Sequence, residues 1–400
     1  MLKKASIFKP ISIGLILVAM SSCINSANNL PADLIYSPNM PTHIDLIDEN
    51  IAVDTTNEIQ NADNINQTNN IQYGGYVLVL NERIYFADGR GIHKTNFSFE
   101  QVETLVYNAH FDNDRYRENT AFGYLQHYNG RIYFLNMPEN AIYSMYPNGT
   151  NLIRILGLPR YMEDGTTEFI TEIIVVNGEI YFNHWQGSGV WLRSFNLVTE
   201  RITDFDLLHT PILSLSPDGN SLQFNHEIGN LTRMNLKNKE VSSAMPVNLD
   251  ELIAEQGGFS MFITYTTISG DLMLFGGGQR IYAMCEDLYA RQILYIENGS
   301  TFGHVNAIDE WVYFLQTRDF EADLGYFKLH LYRVNIDGSE VQVVYENIVI
   351  GEHGWYLVFL YIVSEDIIMF KKSMNDHNIY AIVRNTDTSE FEMKHINPIS

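Results

Sequence analysis

Two stretches of this 400-residue chain gather side chains that could bind a ligand or do chemistry. Residues 107–119 carry His110, Asp112, Asp114, Tyr116 and Arg117 between two apolar strands. Asp112-Asn113-Asp114 has the spacing that opens a calcium loop. The glycine and the twelfth-position carboxylate of such a loop are missing, so the residues imply a solvated charged connection and no metal. Residues 315–328 carry Arg318, Asp319, Glu321 and Asp323 and read as an enlarged loop. His184-Trp185 and His353-Gly354-Trp355 fall at comparable places, and an exposed Trp is a common anchor for a sugar or a peptide. The plainer reading of each group is packing between structural units or solvation.

The motifs that would specify a reaction are missing from the sequence. It has no Gly-x-Ser-x-Gly nucleophile elbow, no His-Glu-x-x-His zinc motif and no phosphate loop. The twelve histidines are scattered. No catalytic residue, cofactor or metal is therefore expected. A formal charge of −23 argues against nucleic acid as a partner, because phosphate recognition needs a basic footprint. It is also unfavourable for lying on an anionic membrane surface.

The N-terminus reads as an export signal. Lys3, Lys4 and Lys9 precede the apolar run Ile11 to Met20, which is shorter than the about 20 residues a bilayer span requires. Met20-Ser21-Ser22-Cys23 resembles the lipobox of bacterial lipoproteins, with Met20 where Leu is usual. The resemblance implies that Cys23 is diacylated and becomes the mature N-terminus; ordinary secretory cleavage near Ser22 or an uncleaved anchor are the alternatives. Two acyl chains on one residue suffice for stable anchoring. Loss of residues 1–22, with their three lysines, takes the charge to −26. Cys285 is the one other cysteine, so no disulfide is expected, and it reads as a bystander thiol. Residues 23–72 follow as a tether: positions 24–72 hold eleven Asn, seven acids and no Lys or Arg. Such a composition buries too little apolar area to offset its ordering entropy. Leu34 to Ile47 is less polar and could add a strand.

The elements that must position any site begin at Tyr73. Asn129-Gly130 joins two apolar strands, and Asn-Gly favours a tight hairpin because both turn positions need positive φ. The second arm, Ile132-Tyr133-Phe134, recurs as Ile84-Tyr85-Phe86, Ile180-Tyr181-Phe182, Leu222-Gln223-Phe224, Met273-Leu274-Phe275, Val312-Tyr313-Phe314 and Ile368-Met369-Phe370. The phenylalanines are spaced 48, 48, 42, 51, 39 and 56 residues apart. An apolar strand and a polar turn precede each anchor; a third strand and in most units a weaker fourth follow it. Four short strands at a period of 40–50 residues predict an all-β chain, with residues 73–400 forming a β-propeller of four-stranded antiparallel blades. Seven blades fit best, with six or eight as the neighbouring counts.

Arg83-Ile84-Tyr85-Phe86 with Ile92-His93-Lys94, Asn129-Gly130-Arg131-Ile132-Tyr133-Phe134 with Asn148-Gly149-Thr150, and Leu331-Tyr332-Arg333-Val334-Asn335-Ile336-Asp337-Gly338-Ser339 resemble a bacterial propeller family of unknown function. That family is named for its likeness to the propellers of the low-density-lipoprotein-receptor-related protein. Ser216-Pro217-Asp218-Gly219-Asn220-Ser221-Leu222 is similar to the turn of TolB-like repeats. These motifs are structural, and the resemblance implies no catalytic residue. The repeated Ser-x-Asp-x-Gly-x-Thr-Trp boxes of sialidase propellers are absent. The expectation is a lipid-anchored propeller on a bacterial membrane, exposed outside the cytoplasm. It would bind an extracellular protein or carbohydrate without catalysis, through its loop-rich face. The competing class is a propeller hydrolase or lyase acting on a polymer, which would bring two acids within about 5–10 Å at one mouth.

Overall fold

The computed structural model describes residues 75–88, 91–107, 122–159, 166–187, 189–216, 219–226, 231–247, 251, 265–269, 272–277, 280–285, 287–295, 302–321, 326–351, 359–371 and 378–396. They form seven four-stranded antiparallel blades, so the fold is the seven-bladed propeller that the repeat predicts. Blade 1 contains β1 (Val77–Leu80), β2 (Arg83–Ala87), β3 (Gly91–Thr95) and β4 (Glu103–Tyr107). Blade 2 contains β5 (Phe122–Tyr128), β6 (Arg131–Asn136), β7 (Ala141–Met145) and β8 (Ile153–Gly157). Blade 3 contains β9 (Glu168–Val176), β10 (Glu179–Gln186), β11 (Gly189–Asn196) and the first half of β12 (Ile202–Leu215). The second half of β12 opens blade 4, which continues with β13 (Ser221–His226), β14 (Leu231–Asn235) and β15 (Val241–Ser243).

Blade 5 contains β16 (Tyr265–Ser269), β17 (Leu272–Gly277), β18 (Arg280–Met284) and β19 (Ala290–Tyr295). Blade 6 contains β20 (Phe302–Ile308), β21 (Trp311–Glu321), β22 (Tyr326–Asn335) and β23 (Val341–Gly351). Blade 7 contains β24 (Phe359–Ser364), β25 (Ile367–Lys371), β26 (Ile379–Arg384) and β27 (Phe391–Ile396).

The hairpin turns follow from the residues in them. Asn129 and Gly130 have φ of 47° and 74°, and Asn177 and Gly178 have 52° and 76°, the left-handed pair of a type I′ turn. Asn81 and Glu82 adopt the same pair at 50° and 56°, although Glu carries the Cβ that disfavours it. The second strands are buried on both faces, as stacked blades require: every residue of β6 and of β25 is buried. Six anchor phenylalanines, Phe86, Phe134, Phe182, Phe224, Phe314 and Phe370, are at most 1% exposed. Truncating such a side chain to Ala costs about 3–5 kcal/mol.

Core clusters run around the ring without a break. Blades 7, 1 and 2 share one, blades 2, 3 and 4 a second, and the pairs 4–5, 5–6 and 6–7 one each. The inner strands neighbour one another in the order β1, β5, β9, β12, β16, β20, β24 and back to β1. Among the described residues no terminal strand crosses into the blade at the other end, because β1–β4 and β24–β27 are each consecutive. Blades 7 and 1 close by packing. Tyr361 meets Tyr76 edge-to-face at 6.2 Å, and Lys371 Nζ lies 4.4 Å from the centre of the Tyr76 ring.

Two features differ from the sequence expectation. The described part of residues 315–328 is not a loop: β21 and β22 extend as a hairpin, paired out to Glu321 and Tyr326, with the strand formers Phe320 and Phe327 opposite each other. Blades 3 and 4 are joined through the single strand β12, whose residues 202–208 pair with β11 and 209–215 with β13. Pro211 falls in the register shift between Thr210 and Leu213, a place where a missing N–H is tolerated.

Replacing Glu82 by Gly relieves an exposed left-handed position. The expected outcome is a gain of about 1 kcal/mol in unfolding free energy, since a Cβ there costs roughly 1–2 kcal/mol and the glycine's extra unfolded entropy returns part of it. Urea titration checks this, and a loss of stability would contradict the turn assignment.

Candidate functional site

The register brings one residue from each inner strand into a common layer. Val77, Ile173 and Leu360 lie opposite the anchors Phe86, Phe182 and Phe370, and the residues just before them are Tyr76, Glu172 and Phe359. In blade 2 the register slips between Gly123 and Gln126, and Tyr124 stands in the bulge opposite Phe134. The same register position in blades 4, 5 and 6 belongs to Ile212, Tyr265 and His304. The inner strands line the central channel, so this layer is a ring at the channel mouth, on the face where the blade-to-blade connections emerge. Its described side chains are Tyr76, Tyr124 and the carboxylate of Glu172, all three buried.

Tyr124 is the strained member. Its φ is +57° inside a strand, a conformation that costs a non-glycine residue about 1–2 kcal/mol. The neighbouring backbone enforces it. Leu125 N–H donates to Gly75 C=O at 2.8 Å, and a Cβ on Gly75 would sit 2.5 Å from Tyr124 Cα, so only glycine fits there. Gln126 fixes the other side. Its Nε2 donates to Ile173 C=O at 2.7 Å and to Tyr124 C=O at 3.3 Å, while its Oε1 accepts from Val175 N–H at 2.8 Å. Bulges re-aim side chains and cluster at binding sites.

Burial, then the Glu172 charge, then Tyr76 push the Tyr124 hydroxyl well above its usual value. Burial alone raises Tyr76 to about 12. Both phenols are therefore neutral hydrogen-bonding groups. Glu172 Oε2 accepts from Asn183 Nδ2 at 2.5 Å, which fixes the amide orientation and leaves Asn183 Oδ1 as the other arm. Asn183 is fully buried, and among the described residues no donor reaches that oxygen.

Neighbouring polar groups are structural. His184 lies in β10, fully buried, with Nε2 3.2 Å from Glu168 Oε2, a close contact outside hydrogen-bond geometry. Burial first, then Arg193, lowers its pKa against the opposing pull of Glu168. Asn183 and His184 are consecutive on a strand, so the Glu172 and Glu168 contacts lie on opposite faces. Four residues of extended chain also part these acids by roughly 13 Å at Cα. In blade 1, Thr104 Oγ1, His93 and Asp88 line up with contacts of 3.0 and 2.9 Å. The order is that of a hydroxyl–imidazole–carboxylate relay. Asp88 also accepts from Gly91 N–H at 2.9 Å, so the line clips three strands and their turn together. Among the described residues no group of three His, Cys, Asp or Glu could hold a metal ion.

Of the residues singled out in the sequence, His184 and Trp185 are placed side by side at the end of β10. Trp185 is partly exposed, and its Nε1–H donates to Gly187 C=O at 2.7 Å. Arg318 lies in β21 at a register shift between Thr317 and Asp319. His110, Asp112, Asp114, Tyr116, Arg117, Trp355 and Cys23 lie outside the described residues. The sequence reading missed Tyr76, Tyr124, Glu172, Asn183 and Lys371. Counting back from the anchor phenylalanines across their hairpins would have found Tyr76, Tyr124 and Glu172.

No protein-family model and no curated protein matches the chain. Solved structures do, all at low identity. Virginiamycin B lyase from Staphylococcus aureus is 13% identical with a TM-score of 0.48, over 78% of this chain and 96% of that one. A putative 6-phosphogluconolactonase from Bacteroides uniformis is 13% identical with a TM-score of 0.48, over 78% and 91%. TolB from Acinetobacter baumannii is 12% identical with a TM-score of 0.41, over 68% and 65%. The neighbours mix enzymes with a protein of no stated activity, and at these identities and scores none of them bears on what this chain does.

Because the fold favours neutral His184, its contribution to stability is complete above the unfolded value of about 6.5 and is lost as pH falls below it. Melting temperature should decline on acidification through that range, and His184→Gln should flatten the decline. An equal slope in the variant would remove His184 as the cause.

Proposed function

We propose that this chain is a cell-envelope lipoprotein whose propeller is a non-catalytic protein-interaction module. Residues 1–22 are its signal peptide, Cys23 carries the lipid, residues 23–72 are the tether and 73–400 the propeller. The residues quoted above resemble those of bacterial propellers similar to the propellers of the low-density-lipoprotein-receptor-related protein, which supports this reading. The observation that carries the binding reading is the ring at the channel mouth. Its described side chains are two buried tyrosines, one of them strained, and a buried carboxylate, at the ends of the inner strands where the chain enters each blade. Binding sites concentrate on such connections over a rigid scaffold. The acidic balance of −23 favours a basic partner, because complementary charge speeds encounter.

Anchoring has a direct test. Cys23→Ala should move the protein from the membrane fraction to the soluble exported fraction, and continued retention would refute lipidation.

The module itself is tested by affinity capture from solubilised membranes with the wild-type chain and with Trp185→Ala. A partner that binds the loop-rich face should be recovered with the wild type and reduced at least several-fold with the variant. Recovery of the same proteins in equal amount from both would overturn the assignment to that face.

A further inference from the structure

We propose that the thioether of Met245 is a redox-sensitive latch on the seam between blades 4 and 5, released when a peroxide oxidises it to the sulfoxide. The outermost strand of blade 4, β15, is three residues long, and all three are exposed. It pairs with β14 through Met234 with Val241, Arg233 with Ser242 and Thr232 with Ser243. Leu231 and Ala244 would form the next hydrogen-bonded pair. Leu231 C=O does accept from Ala244 N–H at 2.9 Å, but Leu231 N–H donates to Met245 Sδ at 3.1 Å. A side-chain sulfur thus stands in for a ladder carbonyl. The backbone has by then turned away from blade 4. Met245 N–H donates to Ser243 Oγ at 3.2 Å, Pro246 has no N–H, and Val247 N–H donates to Leu288 C=O of blade 5 at 2.8 Å.

Met245 is partly buried and packs on the apolar cluster that joins these blades: Leu231, Ala244, Met273, Tyr282, Met284 and Ala290. It is the smallest of the five clusters among the described residues, so this seam has the least apolar packing in reserve. Met273 and Met284 face each other across β17 and β18 and are 3% and 2% exposed, which leaves Met245 as the thioether that solvent reaches first. With hydrogen peroxide, a sulfur lone pair takes one oxygen atom, the O–O bond breaks and water leaves. The sulfur is oxidised by two electrons and the peroxide reduced by two, and an apolar side chain becomes polar and chiral. No oxygen atom fits between Leu231 N and the sulfur, because an N–H···O bond alone takes about 2.7–3.2 Å. One sulfoxide epimer therefore breaks the bond to Leu231 directly. The other sets its oxygen against the apolar cluster or draws the side chain out of it. Either way β15 loses its end fastening, and the stretch from Ala244 to Val247 that crosses to blade 5 loses its hold.

The test exposes the full folded chain in detergent to dilute hydrogen peroxide. Peptide mass spectrometry follows each methionine, and amide hydrogen exchange follows β14 and β15. Met245 should oxidise at least tenfold faster than Met273 and Met284. Exchange over residues 231–234 and 241–247 should rise about tenfold in step with the Met245 sulfoxide, while β9 and β10 of blade 3 keep their protection. Treatment with the two methionine sulfoxide reductases, one per epimer, should restore the original exchange. Met245→Leu keeps the volume and removes the oxidisable sulfur, so it should lose the peroxide response. If that variant does not fold, the wild-type time course decides, because the order of oxidation and exchange needs no variant. Oxidation of Met245 with no change in exchange over 241–247 would overturn the latch. So would an equal peroxide response in Met245→Leu, or oxidation of Met273 and Met284 ahead of Met245.

Discussion

The structure depends on how seven sheet edges are satisfied around one axis. Each blade turns its first strand to the channel, and an inner strand has a neighbouring strand of its own sheet on one side only. Its outward N–H and C=O groups cannot remain buried and unpaired. Side chains supply the partners. Gln126 spans blades 2 and 3 by bonding Ile173 and Val175, and Asn306 Nδ2 reaches Leu360 C=O at 3.0 Å between blades 6 and 7. Gly75 C=O performs the same task between blades 1 and 2 with backbone alone. These amides are buried because the blades stack too closely for water, and they convert stacked sheets into a closed ring.

That constraint explains why the ring of Tyr76, Tyr124 and Glu172 is where it is. An inner strand that must meet both its own hairpin partner and its neighbour's amide cannot keep perfect alternation, so it bulges. Register shifts occur in the inner strands of blades 2, 3, 4, 6 and 7. In blade 2 the bulge leaves a tyrosine in the left-handed region, held by Gly75 on one side and Gln126 on the other. Glu82 has a similar φ, yet its meaning differs. It lies in an exposed two-residue turn where handedness is dictated by strand twist, and glycine would serve there as well. Nothing about chain reversal requires φ > 0 at Tyr124. The strain there is maintained by packing at the channel mouth.

The fold was legible in the sequence because its markers are local. Asn-Gly turns and buried Ile-Tyr-Phe strands recur at a blade's length, and each reflects a requirement of the hairpin itself. The functional layer was less legible for the same reason. Its members come from different blades and are aligned by register, and in blade 7 a bulge between the turn and the anchor shifts the count. Continuous β12 and the long β21–β22 hairpin were also hidden. β12 lacks a glycine or asparagine at the point where the period suggested a break, and in β21–β22 the Phe320–Phe327 pair carries the ladder beyond the length of the other hairpins. His184 and Trp185 read as a pair, but alternation sends one into the stack and leaves the other at the rim.

The distribution of charge follows the same division between blade and channel. Arginines of the third strands lie over aromatic rings or against neighbouring acids, as Arg280 over Tyr295 at 4.4 Å and Arg193 against Asp204 at 3.0 Å. Exposed pairs of this kind contribute about 0–1 kcal/mol each and serve mainly to cover the blade edges. The buried charges are different. Lys371 and Glu172 sit at the two ends of a tyrosine span, where water does not screen them and where each needs specific contacts to remain charged. A chain that required only a stable propeller would gain by making both positions apolar, as Leu135 is at the position in blade 2 equivalent to Lys371. Polar groups kept in the layer where seven blades converge are therefore the part of this structure that packing alone does not explain.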